Sequence, residues 1–542
     1  MTLYPPLFRL ALLGLLSFAS LAARAQSPLT PEQLRRWQHL DLQADGVPGI
    51  SADRAYRELL KGRSATPVLV AVIDSGIDST HEDLKPVLWR NPRETAGNGL
   101  DDDHNGYADD VRGWSFLGGP DGRNIAVETL EQTRIYGRYR VPFEGKTRKQ
   151  VPAGERENFD LYQRAKAAYE KDKQAEQAHY ARLTDAQSQN AAVFERLKQA
   201  LGTATLDSAT LRRATSTRPE LAAEAGATYA FLRRAGLGSA EEASKSLTEA
   251  VNRSRKRLDL SLNPDYNPRN LVGDHVDDLT ETRYGNPDTQ GPAADHGTHC
   301  AGIIGGVRGN GRGADGVADA VRIMPVRSTP SGDERDKDVA NAIRYAVDNG
   351  AQIISMSFGK DFSPEKTVVD AAMRYAAQKG VLLVHAAGNS GDNTDQTPHF
   401  PSTQYLGGEE IPNLLTVGAS SRQNTAELAA SFSNYGRKTV DVFAPGVAIY
   451  SSTPGNAYAT FSGTSMAAPV VAGVAAVLKG YFPQLTAVQL KQVIMRSAVP
   501  YHTQVQQPGG KKLVDFAGLS RTGAIVNLYE AVKLAQQMTA VK

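Results

Sequence analysis

The chain has 542 residues, with 61 Lys and Arg against 59 Asp and Glu, a formal net charge of +2. That balance excludes the basic field of a nucleic-acid binder, and 22% charged with 41% hydrophobic residues excludes a disordered chain. Cys300 is the sole cysteine, which excludes an intrachain disulfide and any cysteine-rich metal cluster.

The chain opens on a targeting pattern. Arg9 precedes an apolar run from Leu10 to Ala23, 14 residues long and too short to span a bilayer. Ala23-Arg24-Ala25 is a small-x-small cleavage pattern. Residues 1–25 are therefore expected to be a signal peptide, and the mature chain to start at Gln26 and be secreted or periplasmic. A short membrane anchor is the alternative reading. No later stretch reads as long and apolar enough to cross a membrane. Residues 26–48 form a short segment, too small for a core of its own. Residues 49–542 read as one domain, interrupted at about 123–270.

Short apolar runs at 68–73, 321–326, 352–356, 381–385, 414–418 and 439–443 are expected strands. Near-continuous apolar runs suit parallel strands covered on both faces. Helical patterns at 336–349 and 365–379 alternate with them, and each stops at a glycine, Gly350 and Gly380. This rhythm predicts an α/β fold with a mostly parallel sheet. The first strand ends in Asp74. Past it, Asp101, Asp103, Asn105 and Asp109 lie in an acidic loop with Gly106 at a turn. Alternating oxygen ligands match the first half of an EF-hand loop, but position twelve is Arg112, where such a loop needs Glu. A structural Ca²⁺ site and a solvated acidic turn both remain open. Asp274, Asp277 and Asp278 read as a plain surface loop.

Residues 155–201 contain no Gly and no Pro. Phe159, Tyr162, Ala165 and Tyr169 recur at helical spacing, as do Phe194, Leu197 and Leu201. Glu241–Leu258 repeats the pattern with Leu247, Val251 and Leu258, and the insertion as a whole is expected to hold two to four amphipathic helices. They would form either a solvated hairpin or a lid or docking arm.

Three motifs carry chemistry. Asp74-Ser75-Gly76 ends a strand. His296-Gly297-Thr298-His299 opens a helix. Gly463-Thr464-Ser465-Met466-Ala467-Ala468-Pro469 places a serine at another helix start. A serine hydroxyl needs an imidazole to take its proton, and a buried carboxylate fixes the imidazole tautomer. The chain order Asp…His…Ser differs from that of α/β-hydrolases and of chymotrypsin. His81, His299 and His385 read as structural, and Cys300 as a buried thiol behind the base.

On these motifs, and on Ala386-Ala387-Gly388-Asn389-Ser390-Gly391, the chain resembles the subtilisin-like serine proteases, the subtilases. The resemblance runs roughly from residue 49 to 480, without the insertion. It implies a three-layer α/β sandwich and a serine endopeptidase of broad specificity. It also implies Asp74 as orienting acid, His296 as general base, Ser465 as nucleophile and Asn389 as oxyanion donor. Peptide substrate would lie along Ser357, Phe358 and Gly359, beside Ala387 and Gly388. Phe358 stands where the family often has Leu. No cofactor is needed for catalysis, and protein or peptide substrates are the expected partners of a monomer. Two other readings are a binding protein on an inactive protease fold and a different serine hydrolase such as an esterase. The family's folded propeptide has no room in residues 26–48. The gap between Asp74 and His296 is 296 − 74 = 222 residues, so the insertion lies between acid and base.

Overall fold

The computed structural model describes residues 29–540. The expected signal peptide lies outside the described residues. Among the described residues, thirteen strands run β1 (Val68–Asp74), β2 (Trp114–Ser115), β3 (Val321–Arg327), β4 (Ile353–Met356), β5 (Leu382–Ala386), β6 (Leu414–Ser420), β7 (Val442–Pro445), β8 (Ile449–Thr453), β9 (Ala457–Phe461), β10 (Val499–Pro500), β11 (Gln504–Gln506), β12 (Leu513–Asp515) and β13 (Ala524–Ile525). Nine of them form one sheet in the order β10-β13-β7-β6-β5-β4-β1-β3-β2, parallel except where β10 meets β13. Each expected strand is present; the last starts three residues later than expected, at Val442.

The sheet is covered on both faces because its strands are apolar on both. Along β1, Val68, Val70 and Val72 join one apolar cluster, while Ala71 and Ile73 join another. This is the two-residue alternation of a strand. Three short N-terminal helices, α1 (Pro31–Arg35), α2 (Leu42–Asp45) and α3 (Ala52–Ala55), precede β1. Trp37, between the first two, is fully buried and donates from Nε1 to the carbonyls of Val447 and Ala448. The first cluster holds α9 (Asp295–Gly305), α12 (Thr464–Tyr481), α13 (Ala487–Ser497) and α14 (Leu528–Ala540). The second holds α10 (Asp336–Asp348) and α11 (Lys366–Gln378). The result is the three-layer α/β sandwich expected from the sequence.

Two sequence expectations need correction. Helix α12 is long and apolar enough to cross a membrane, with a mean hydropathy of 1.2, and 83% of it is buried. It packs on β4 to β7 as a core helix. Asp274 is no surface residue: its carboxylate is buried between Arg269 at 2.6 Å and Lys337 at 2.9 Å. Asp277 is exposed and faces Arg138.

The insertion comprises α4 (Glu131–Phe143), α5 (Arg156–Leu201), α6 (Ser208–Thr217), α7 (Ala222–Ala235) and α8 (Ala240–Lys256). The stretch without Gly or Pro is a single helix of 46 residues, about 70 Å long at 1.5 Å per residue. Nothing in it breaks a helix. Phe194, Leu197, Leu211 and Leu232 form a small core at its far end. At the near end Tyr136 stacks on Tyr169, with centroids 4.5 Å apart. Helix α8 returns alongside, and Ser254 donates to Glu176.

The stem of the insertion is fixed to the sandwich. Lys360 Nζ, just past β4, lies 2.6 Å from Glu131 and 2.9 Å from Asp336. Arg134 pairs with Glu131 at 2.6 Å and donates to the carbonyls of Asp333 and Glu334.

Candidate active site

The carboxyl ends of β1, β4 and β5 and the N-termini of α9 and α12 converge at one edge of the sheet, where open α/β folds place their sites. Asp74 is the last residue of β1 and is 2% exposed. Two glycines let α9 approach it. A Cβ on Gly297 would lie 2.3 Å from Gly76 O, and one on Gly76 would lie 2.0 Å from Gln290 O. Gly76 also has φ of +127°, which L side chains rarely adopt. This close packing sets His296 Nδ1 2.7 Å from Asp74 Oδ1. That is the length of a charge-assisted bond.

Burial alone would push the His296 ring down; the Asp74 carboxylate outweighs it, and His296 is held well above the usual imidazole range. Nδ1–H donating to Asp74 leaves Nε2 as the free lone pair.

Ser465 is the second residue of α12. Its Oγ donates to Ser357 O at 3.2 Å, so in this resting arrangement the hydroxyl is not on the imidazole. Cys300, one turn after His296 on α9, joins the two: its Sγ is 3.9 Å from His296 Nδ1 and 3.3 Å from Ser465 O. Burial pushes the Cys300 thiol up, so it stays protonated.

Asn389 follows β5. Its Oδ1 accepts from Thr464 N at 2.9 Å and from Thr464 Oγ1 at 3.0 Å. With Oδ1 engaged, the amide NH₂ is left facing the start of α12. Ser465 N–H is among the orphan donors of that helix start. Gly388 N donates to Thr464 Oγ1, and Ala387 O accepts from Asn434.

Ser465, Asn389, Gly388, Ser357, Phe358 and Gly359 line one cleft of about 380 Å³. Phe358 shows the cleft only an edge: it is 8% exposed and shares an apolar cluster with Met356 and Met373. Leu130, Gln132, Asp172 and Arg257 of the insertion line the same cleft. Gln132 donates to Asp172 at 3.0 Å, and Arg257 pairs with Glu176 at 3.2 Å. These four wall residues escape sequence reasoning, because nothing in a helical pattern says which residues face a distant cleft. Asp172 sits in the regular α5 pattern three residues past Tyr169.

The three histidines set aside as structural each hold backbone groups. His81 bonds Ala457 O and Asp83 N. His299 bonds the carbonyls of Ile449 and Ala459, and burial takes it down to about 4. His385 bonds Phe358 O at 2.8 Å and burial takes it down to about 3.

In the acidic loop, carboxylate oxygens of Asp101 and Asp103 come within 4.8 Å of each other and of Glu94. Asn105 turns to Asp110, at 2.9 Å. Asp109 accepts from the amides of Gly97, Asn98 and Gly99. Glu94 was not singled out from sequence, since no ligand spacing ties it to the loop.

A parallel α/β sandwich with an acid, an imidazole and a serine gathered at its carboxyl edge defines a class of serine hydrolase folds. The chain belongs to the subtilase family, whose sequence model matches residues 65–523. It is 44% identical over 184 residues to the thermophilic serine proteinase of Bacillus sp. (strain AK1), covering 34% of this chain and 42% of that one. Thermitase of Thermoactinomyces vulgaris is also 44% identical over 184 residues, covering 34% of this chain and 60% of its own. Subtilisin Savinase of Lederbergia lenta is 36% identical over 215 residues, covering 40% and 73%. The match thus spans less than two thirds of the first two relatives.

Proposed function

We propose that the chain is an exported serine endopeptidase that cleaves peptide bonds through an acyl-enzyme. The observation that carries this reading is the 2.7 Å contact between His296 Nδ1 and Asp74 Oδ1, tied to Ser465 through Cys300 Sγ, which touches both His296 Nδ1 and Ser465 O.

Ser465 turns about χ1 from Ser357 O to His296 Nε2, which takes its proton as Oγ attacks the scissile carbonyl. Catalytic hydrogen bonds are commonly loose before substrate arrives. Asp74 stabilises the imidazolium that forms and keeps the tautomer. The Asn389 amide and the Ser465 N–H hold the oxyanion, and the dipole of α12 favours that charge. His296 then gives its proton to the leaving amine, and water repeats the sequence on the ester.

Substrate binds extended along residues 357–359. Among the described residues the N–H and C=O of Gly359 have no hydrogen-bond partner, which suits pairing with a peptide backbone. Backbone pairing asks little of side chains and supports broad specificity. Export rests on the targeting pattern in residues 1–25. The reading is tested with a fluorophosphonate probe followed by peptide mass mapping. The expected adduct is on Ser465 and is absent from Ser465→Ala. A label elsewhere, or none, contradicts it.

A further inference from the structure

We propose that His399 is a specificity-determining residue, and that with Asp361 it selects a carboxamide side chain, glutamine or asparagine, just before the scissile bond. The proposal rests on the endopeptidase reading and deepens it, adding a preference at one position to backbone pairing that asks little of side chains.

The His399 ring sits where the two walls of the cleft meet. A Cβ on Gly359 would lie 2.5 Å from His399 Nε2, and one on Gly388 would lie 2.9 Å from it. Both walls therefore need glycine to make room for the imidazole. His385 stacks beside it with centroids 6.0 Å apart, and the His385 Nε2 is taken by Phe358 O. His399 lines the cleft of Ser465, and it also lines a second cavity of about 210 Å³ with Asp395, Thr416 and Thr439. The imidazole thus stands between the two spaces. A substrate side chain that enters between residues 357–359 and 387–388 ends against it, which leaves a large aromatic ring short of room.

The same ring carries an unmet hydrogen bond. Among the described residues neither Nδ1 nor Nε2 of His399 has a partner, although both atoms are buried. An imidazole carries at least one N–H in either protonation state. One donor is therefore left without an acceptor, a costly state that a substrate oxygen would relieve. Asp361 does not meet that need: its Oδ1 stops 3.6 Å from Nδ1, beyond hydrogen-bond distance, and its side chain is 66% exposed.

Charge decides which oxygen fits. Asp172, Asp333 and Asp361 line the cleft. Its lysine and arginine are already paired, Lys360 with Glu131 and Asp336, and Arg257 with Glu176. A substrate carboxylate would meet like charge there. A carboxamide is neutral and matches both groups, since its C=O accepts from His399 and its NH₂ donates to Asp361.

The test uses the full chain and peptide p-nitroanilides that differ only in the residue before the scissile bond: Gln, Asn, Glu, Leu or Phe. Active sites are counted by fluorophosphonate labelling. For the better of Gln and Asn, kcat/KM should exceed that for Glu and for Phe by at least about tenfold. His399→Ala should join the cleft to the second cavity, lower the carboxamide substrate by at least about tenfold and raise Phe. His399→Phe fills the same space without an N–H. It should lose the preference for carboxamide over Leu while Phe stays poor. Asp361→Ala should narrow the gap between Gln and Glu. A parent that cleaves Glu or Phe as well as both carboxamides would overturn the proposal. So would a His399→Ala that leaves the ratios between substrates unchanged. Either result, with cleavage absent from Ser465→Ala, sinks this proposal alone. A labelled parent that cleaves the series no better than Ser465→Ala removes the endopeptidase reading and this proposal with it.

Discussion

At the scale of single residues, the proposed reaction asks some groups to react and others to hold them. Asn389 is locked through Oδ1 by Thr464, and in the proposed reaction its NH₂ meets charge that exists mainly in the transition state. Asn389→Ala should lower kcat by about 10²–10³-fold, the size of such a donor's contribution in subtilisin, with KM little changed. A raised KM with kcat intact would make Asn389 a ground-state contact. His296 must be neutral to act as base, and Asp74 holds it well above its ordinary range. The acid limb of kcat/KM should therefore lie above pH 6.5, the unperturbed imidazole value. Activity is lost as pH falls through that raised value. Asp74→Asn should move the limb to lower pH while cutting kcat. A limb at or below the unperturbed value would show that Asp74 does not charge-couple to the ring.

Cys300 makes a different prediction. Its thiol is fully buried and stays protonated, so iodoacetamide, which needs thiolate, should leave activity intact. Mercuric ion binds thiols far more strongly and should inhibit, since Sγ lies against both His296 and the Ser465 carbonyl. Cys300→Ala should be active and resistant to mercury. An inactive, stable Cys300→Ala would assign the thiol a role in the reaction.

That Asp74, His296 and Ser465 would meet at one sheet edge was legible in the sequence, because chemistry restricts their types and local motifs surround them. Glu94 was not, because a lone glutamate 101 − 94 = 7 residues before Asp101 carries no motif and its partner is set by a loop path. Asp274 was misread because its neutralising partners Arg269 and Lys337 stand 5 and 63 residues away in sequence. Long-range pairing leaves no periodic trace.

At the scale of elements, the strands were legible because a strand buried on both faces is a short apolar run. The insertion was legible as helical but not in its count: absence of breakers permits one helix as readily as three. Nor did its pattern disclose that Leu130, Gln132, Asp172 and Arg257 reach the cleft that contains Ser465. The stem is bound by buried ion pairs around Lys360 and Glu131, so it is a fixed wall and not a swinging lid. Replacing residues 154–263, about the whole arm, with a short Gly/Ser linker removes Asp172 and Arg257 but keeps Leu130, Glu131 and Gln132. The product should fold and still cleave small peptide esters. Its kcat/KM on protein substrates should change, because one side of the cleft opens. The far core of Phe194, Leu197, Leu211 and Leu232 shares no residue with the sandwich clusters, so its loss should not unfold the sandwich. Complete unfolding would show that the arm completes the core. Unchanged kinetics on every substrate would show that the wall does not touch substrate.

At the scale of the molecule, the sandwich brings residues 222 and 169 positions apart to one sheet edge, 296 − 74 and 465 − 296. The arm inserted between acid and base leaves that convergence undisturbed, since both its ends return beside β2 and α9. The whole account rests on the claim that this convergence hydrolyses protein. Casein turnover by the purified mature chain, compared with Ser465→Ala, tests it most directly. The account predicts turnover that is abolished by a serine-directed covalent inhibitor and absent from Ser465→Ala, while that variant keeps the parent's melting behaviour. Turnover by a folded Ser465→Ala within about tenfold of the parent would contradict it.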